Sequence, residues 1–339
     1  DDLSPNQTGF EIAPTVVERL ETRDDQSIGN TANDLTVDTD GRLPPSNAGF
    51  AVKYFKSSNP SKRLQKDLAI EITILKSLRN LHPNIVTIHG TSVDTESPKS
   101  FFVMDRLVGT LNDKIQHKWS ERSILALSNG IIPGMRFLSI DTTVDLEANL
   151  LAERLQVSYQ LASALQFLHD QRIVFRDLKP DNVGFDSTGT VKLFDFGFSK
   201  RLDDSLRQSK TDGAALYRLT GRTGTVPYMA PEVDKLEPYN EKCDVFSFSI
   251  LLWEVLALDF CFSSIYTHAE FHHRVSLGGE RPSLPESWPT LTRQIMREAW
   301  SVSPAMRPTF AEIRTMLRSD LNSLPTTTTR CSKPVQRVN

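Results

Sequence analysis

The chain has 339 residues, 39% of them hydrophobic and 24% charged, enough for one large soluble domain or two lobes around a sizeable core. Its formal net charge of −3 creates no global basic field, so nucleic acid is not an expected partner. No apolar run reaches the roughly 18 residues that membrane insertion needs, and the three cysteines (Cys243, Cys261, Cys331) form neither a CxxC pair nor an even framework, which points to a reducing compartment, cytoplasmic or nuclear.

The chain opens Asp1-Asp2-Leu3, with no initiator methionine, basic stretch or apolar stretch; this reads as a fragment or a processed product and not as a signal peptide. Residues 1–48 are polar and contain one aromatic, Phe10. Such a segment buries too little apolar surface to offset its ordering entropy, so disorder is expected, with a short helix over Pro14–Thr22 as the one candidate element. Order is expected from Gly49. Phe50–Phe55 alternates like a strand. Between Ser61 and Leu81, Leu64, Leu68, Ile72, Leu75 and Leu78 recur at helical spacing. Ile85–His89 and Phe101–Leu107 read as two further strands separated by a polar turn.

Beyond Leu107 the pattern is helical. A short helix is predicted over Leu111–Trp119, an insertion over Ser120–Asp145, where Gly130, Pro133 and Gly134 interrupt the signal, and an amphipathic helix over Leu150–His169. Ile173–Phe175 and Val191–Phe194 are short strand candidates. Val245–Leu258 is almost wholly apolar, which predicts a helix buried through the domain centre. Helices are also predicted over Thr267–Val275, Leu291–Trp300 and Thr309–Leu321, followed by a polar, basic, disordered tail.

Three blocks carry the chemistry. They are Phe175-Arg176-Asp177-Leu178-Lys179-Pro180-Asp181-Asn182, Phe194-Asp195-Phe196-Gly197 and Ala230-Pro231-Glu232. Each alone could be an ordinary turn, since Pro, Asp, Asn and Gly favour turns. In this order and at this spacing they resemble the catalytic loop, metal-binding loop and activation-segment end of a protein kinase. Lys179 and Gly224-Thr225 resemble the serine/threonine type, and Trp300–Pro304 with Arg307-Pro308-Thr309-Phe310 resembles the tyrosine-kinase-like group.

The resemblance covers about residues 50–322 and implies a two-lobed α+β fold. Its expected parts are a disordered polar segment or insertion (1–48), a partial, β-rich N-lobe (49–107), a helical C-lobe (108–322) and a tail (323–339). It implies transfer of the γ-phosphate of ATP to serine or threonine hydroxyls of protein substrates, assisted by Mg²⁺. Asp177 would be the base that orients the acceptor hydroxyl. Lys179 would place its ammonium near the transferring phosphate. Asn182 and Asp195 offer oxygen ligands suited to a hard cation. Lys53, on the first strand, would face the phosphates and pair with Glu71 on the following helix. Met104 would stand behind adenine, with backbone groups of Asp105 and Leu107 on the base edge. Glu232 would pair with a buried Arg307, and Asp244 would anchor the catalytic loop from below.

Some positions depart from the pattern. No G-x-G-x-x-G lies upstream of Lys53, so the N-lobe is expected to lack its first strands, and a non-enzymatic scaffold of the same fold is the alternative. Phe175 stands where the family more often has histidine, and stacking on Phe196 is expected to survive. Arg176 before the catalytic aspartate suggests control by phosphate on a hydroxyl among Ser199, Ser205, Ser209, Thr211, Tyr217, Thr220 and Thr223. His268 and His272 have the spacing of a helical metal pair, with His273 beside them, but the sequence offers no carboxylate or cysteine cluster nearby, so a solvated helix face is expected.

Overall fold

The computed structural model describes residues 49–55, 60–127, 140–211 and 214–324. The predictions for residues 1–48, for the helix over Pro14–Thr22 and for the tail beyond Leu324 fall outside them. The chain divides into two compact units: one runs to Asn80 and resumes over Val86–Arg106, and the other takes Leu81–Ile85 and everything from Leu107.

The first unit contains β1 (Phe50–Tyr54), α1 (Lys62–Leu78), β2 (Ile88–Thr91) and β3 (Phe101–Asp105). Its antiparallel sheet has the order β1-β3-β2. Ala51 lies opposite Met104 and Lys53 opposite Phe102. The two-residue period of a strand therefore sets Lys53 on the face of the buried Met104 and Phe102. Ser61 caps α1 by accepting the Leu64 N–H at 3.3 Å. Of the predicted stripe, Leu68, Ile72, Leu75 and Leu78 are buried and Leu64 is half-buried, and Glu71 is buried with them. The strand predicted over Ile85–His89 begins three residues later. Asn84 and Ile85 belong to the other unit, where the Asn84 carbonyl accepts the Leu193 N–H at 2.8 Å and Ile85 bridges to Leu193.

The second unit starts with β4 (Gly109–Thr110), α2 (Leu111–Asp113), a π-helical turn over Lys114–Trp119 and α3 (Ser120–Leu127). Next come α4 (Ile140–Asp170), β5 (Ile173–Val174), β6 (Val183–Phe185), β7 (Val191–Leu193) and β8 (Lys200–Arg201). The expected insertion is thus helical at both its described ends, and α4 starts at Ile140 and not at Leu150. Glu153 on α4 gathers this region: it accepts from Lys114 at 3.1 Å, from the Trp119 indole at 3.0 Å and from Arg122. Burial works against its charge, but these bonds outweigh burial and hold the carboxyl at about 2.

An unpredicted hairpin follows, β9 (Arg207–Thr211) with β10 (Ala214–Tyr217). β9 is polar, and β10 is a four-residue apolar run without alternation, so neither gives a clear strand signal. It is tied to the body by reciprocal backbone bonds between Tyr217 and Tyr239. The chain continues through α5 (Pro231–Asp234), α6 (Lys242–Ala257), α7 (His268–Phe271) with a π-helical extension over His272–Leu277, α8 (Thr290–Ala299) and α9 (Phe310–Ser323). α6 is the predicted central helix: Val245, Phe246, Phe248, Ile250, Leu251, Leu252 and Val255 have no exposed surface. Each such side chain contributes about 1.5–3 kcal/mol by burial.

Glu254 on the same helix is also buried. It accepts from the Tyr228 hydroxyl at 2.7 Å and the Cys261 N–H at 2.9 Å, and burial pushes its carboxyl up to about 7. Between the ordinary value of 4.5 and about 7 the folded chain keeps a proton that the unfolded chain has lost. Stability therefore falls as pH rises through that window. Urea titrations should show a loss on the order of 2 kcal/mol across it, and the Glu254→Gln variant should lack this part of the slope.

Candidate active site

In the first unit, the Lys53 ammonium lies 2.7 Å from the Glu71 carboxylate, with both side chains largely buried. The predicted pair is formed. A buried carboxylate needs such a partner, because desolvating an unpaired charge costs several kcal/mol. Met104 is buried on β3, next to Asp105. The Asp105 carboxylate accepts the Thr87 N–H at 2.9 Å and meets His89 Nε2 at 2.8 Å, and the Asp105 N–H donates to the Thr87 carbonyl at 3.1 Å. That N–H is therefore committed to Thr87. The residues sequence reasoning missed here are Thr87 and His89, which carry no motif.

The second unit builds the catalytic blocks on α6. The fully buried Asp244 carboxylate accepts the N–H groups of Phe175 and Arg176, each at 2.8 Å, and contacts His169 Nε2 at 2.9 Å. Arg176 is left-handed (φ 72°), a strained conformation for a residue with a side chain. The following Asp177 is buried and heavily bonded. Its Oδ2 accepts Asn182 Nδ2 at 2.9 Å and lies 3.1 Å from the Lys179 ammonium, and its Oδ1 accepts the Thr225 hydroxyl at 2.7 Å. Lys179 also donates to Thr225 Oγ1 at 3.0 Å. Gly224 makes this approach possible: its φ is +103°, and a Cβ there would sit 2.3 Å from the Arg176 carbonyl.

Asn182 and Asp195 come together through the β6–β7 hairpin. Val183 pairs with Leu193, and beyond them the Phe194 N–H donates to the Asn182 carbonyl at 3.1 Å. Asn182 thus precedes β6 and Asp195 follows β7 at the same end of the hairpin. The Asn182 amide nitrogen donates to two Asp177 oxygens, at 2.8 and 2.9 Å, which orients its Oδ1 away from them. An amide oxygen beside a carboxylate at a hairpin end fits Mg²⁺ in donor chemistry. Gly184 lets the Leu107 side chain lie against β6, since a Cβ there would be 2.5 Å from Leu107 Cδ1. Phe175 does meet Phe196, edge-on, at 5.1 Å between ring centroids.

Arg176 bonds the Phe198 carbonyl at 2.6 Å, the Thr220 hydroxyl at 2.9 Å and the Tyr239 hydroxyl at 3.2 Å. Of the hydroxyls named above as phosphate-bearing candidates, Thr220 is bonded to Arg176, whereas Ser199 is buried against the Phe175 carbonyl. Glu232 and Arg307 form the expected buried pair, bidentate at 2.6 and 2.7 Å. The remaining Arg307 bonds go to the Ser301 and Lys242 carbonyls, each at 2.9 Å. His268 and His272 correct an expectation: they do not form a solvated face but flank Asp234, each at 2.6 Å.

A family model for protein tyrosine and serine/threonine kinases matches residues 40–317. The chain belongs to the protein kinase family. Similar proteins include the serine/threonine-protein kinase STY17 of Arabidopsis thaliana, 29% identical over 79% of this chain and 40% of that protein. Mitogen-activated protein kinase kinase kinase 13-A of Xenopus laevis is 32% identical over 78% of this chain and 23% of its own length. The serine/threonine-protein kinase CTR1 of Arabidopsis thaliana is 30% identical over 80% and 29%. The chain spans less than half the length of each of these relatives. Protein kinases use ATP and Mg²⁺ and act on protein substrates.

Breaking the Glu232–Arg307 pair from one side leaves a buried carboxylate without its cation. Arg307→Ala should lower unfolding stability by about 3–5 kcal/mol, read from the urea midpoint. A substitution at exposed Arg297 should move that midpoint little.

Proposed function

We infer that this chain is the catalytic domain of a protein serine/threonine kinase of the tyrosine-kinase-like group, transferring the γ-phosphoryl group of ATP to a protein hydroxyl with Mg²⁺. The observation that carries this reading is the Asp177 carboxylate, held by Asn182, Lys179 and Thr225. Asp177 accepts a hydrogen bond from the acceptor hydroxyl and takes its proton as that oxygen bonds to phosphorus and the bridging bond to ADP breaks. Lys179 places positive charge beside the same group. Asn182 Oδ1 and the Asp195 carboxylate would hold Mg²⁺, which neutralises phosphate charge when bound. Within the first unit, Lys53, steadied by Glu71, is the group for phosphate oxygens, and Met104 with the Asp105 backbone is the group for the base.

The formed Lys53–Glu71 pair and the presence of Asp177, Asn182 and Asp195 favour an enzyme over a non-enzymatic scaffold. The buried free thiols Cys243 and Cys261 suit a reducing compartment, and the cytoplasm or nucleus is our proposed location. Phosphate on Thr220 would gain a charge-assisted bond to Arg176 and order the segment before Glu232. Mass spectrometry of the active protein should find Thr220 phosphorylated, and Thr220→Ala should lower kcat; an unmodified Thr220 with unchanged activity would refute this control.

Asp177→Asn keeps the shape of the base but cannot take the proton. It should lower kcat by about 10²–10⁴-fold while leaving the Mg²⁺-dependent thermal shift with ATP intact. A wild-type protein that shows no shift with ATP and Mg²⁺ would sink the kinase reading.

A further inference from the structure

Asp234 ends α5, two residues after Glu232, and its carboxylate has no exposed surface. His268 Nε2 lies 2.6 Å from Oδ1, and His272 Nδ1 lies 2.6 Å from Oδ2. An isolated carboxylate at such a position would be expensive to bury. Burial alone would raise the Asp234 carboxyl, yet the Ser276 hydroxyl and then the two imidazoles hold it below its ordinary range. Each imidazole takes a different oxygen, so the nitrogens flank the carboxylate and do not converge. Among the described residues no group of three or more His, Cys, Asp or Glu side chains is arranged to hold a metal. The arrangement is a hydrogen-bonded clasp.

The clasp joins two pieces of chain that border the site of phosphoryl transfer. α7 and its π-helical extension, which carry the histidines, pack against α5 and against the turn Val226–Tyr228. That turn follows Gly224 and Thr225, and Thr225 bonds Asp177 directly. Arg307 fixes α5 through Glu232 from the other side. A path of direct contacts thus runs from the base, through the Thr225–Tyr228 segment and α5, to the two histidines.

We propose that His268 and His272, acting through Asp234, are positioning residues for the protein substrate: they hold the Gly224–Tyr228 segment where an acceptor peptide must lie beside Asp177. This rests on the kinase reading. Neutral imidazoles suffice, with His268 donating from Nε2 and His272 from Nδ1. The side-chain amide of glutamine reaches the Nε2 position and that of asparagine the Nδ1 position. His268→Gln with His272→Asn therefore keeps both donors, the exchanged pair His268→Asn with His272→Gln keeps the same amides but misplaces them, and His268→Phe with His272→Phe removes them.

The test uses the full-length protein, dephosphorylated casein as the acceptor, and initial rates at varied casein and ATP. The Phe pair and the exchanged pair should raise the casein KM about tenfold, the worth of one charge-assisted hydrogen bond, with the ATP KM unchanged. The Gln/Asn pair should stay within about twofold of wild type, well inside the effect of one such bond. An unchanged casein KM in the exchanged pair overturns the proposal, as does a Gln/Asn pair that fails like the Phe pair. If the wild type binds ATP but leaves casein untouched, the fault lies with the protein-kinase reading. Amide hydrogen exchange over 224–230 then decides the clasp: faster exchange in the exchanged pair than in Gln/Asn supports it, and equal exchange overturns it.

Discussion

The buried carboxylate of Asp244 is the constraint on which the second unit depends. It takes the N–H groups of two successive residues, Phe175 and Arg176, together with the imidazole of His169. Two adjacent N–H groups can point at one carboxylate only where the backbone turns sharply, and Arg176 accordingly sits in the left-handed region. A conformation of that kind costs roughly 1–2 kcal/mol for a residue with a side chain. The charge-assisted bonds to Asp244 offset it. The turn then delivers Asp177 to Asn182, Lys179 and Thr225.

Asp244 can do this because it stands on an almost wholly buried helix. α6 is apolar over most of its surface and has no exposed face of its own. Three of its buried polar side chains, Asp244, Ser247 and Glu254, fall on one side of the helix by the 3.6-residue period, with Ser249 on the other. Ser247 donates to the Tyr228 carbonyl at 2.7 Å, and Glu254 accepts from the Tyr228 hydroxyl. The catalytic loop and the segment after Thr225 therefore hang from the same stripe of one buried helix. At the start of α6, Lys242 and Arg307 bond each other's carbonyls, which ties the Glu232 anchor to the same column. Packed surroundings of this kind leave few alternative rotamers, so the distances at Asp177 are set by burial as much as by hydrogen bonds.

The first unit solves a separate problem with the same physics. Lys53 is brought to Glu71 because a strand period and a helix period each place one charged residue on an otherwise apolar face. Either charge alone would be costly there, and together they are a defined pair. Asp105 is fixed just as firmly by Thr87 and His89, with its side chain and its N–H both bonded within the sheet.

The features legible in the amino-acid order were the local ones. The resemblance of the three blocks to the protein kinase family located Asp177, Asn182 and Asp195; helical period located α1, α4, α6, α8 and α9; an almost wholly apolar run marked α6 as central. These signals survive because periodicity, capping and turn preference act over a few residues. Partnerships across long stretches of chain were not legible in the same way. The hairpin of β9 and β10 has no alternation and is held by Tyr239, far along the chain. β2 starts late because Ile85 is claimed by Leu193. The Asp105 N–H turns inward to Thr87. His268 and His272 look like a solvated pair until α5 supplies Asp234 between them. Sequence alone determined which groups could carry the chemistry and which helices had a buried face. Tertiary structure alone decided which hydrogen bonds those groups make, because a buried donor takes whichever acceptor the packed core brings within reach.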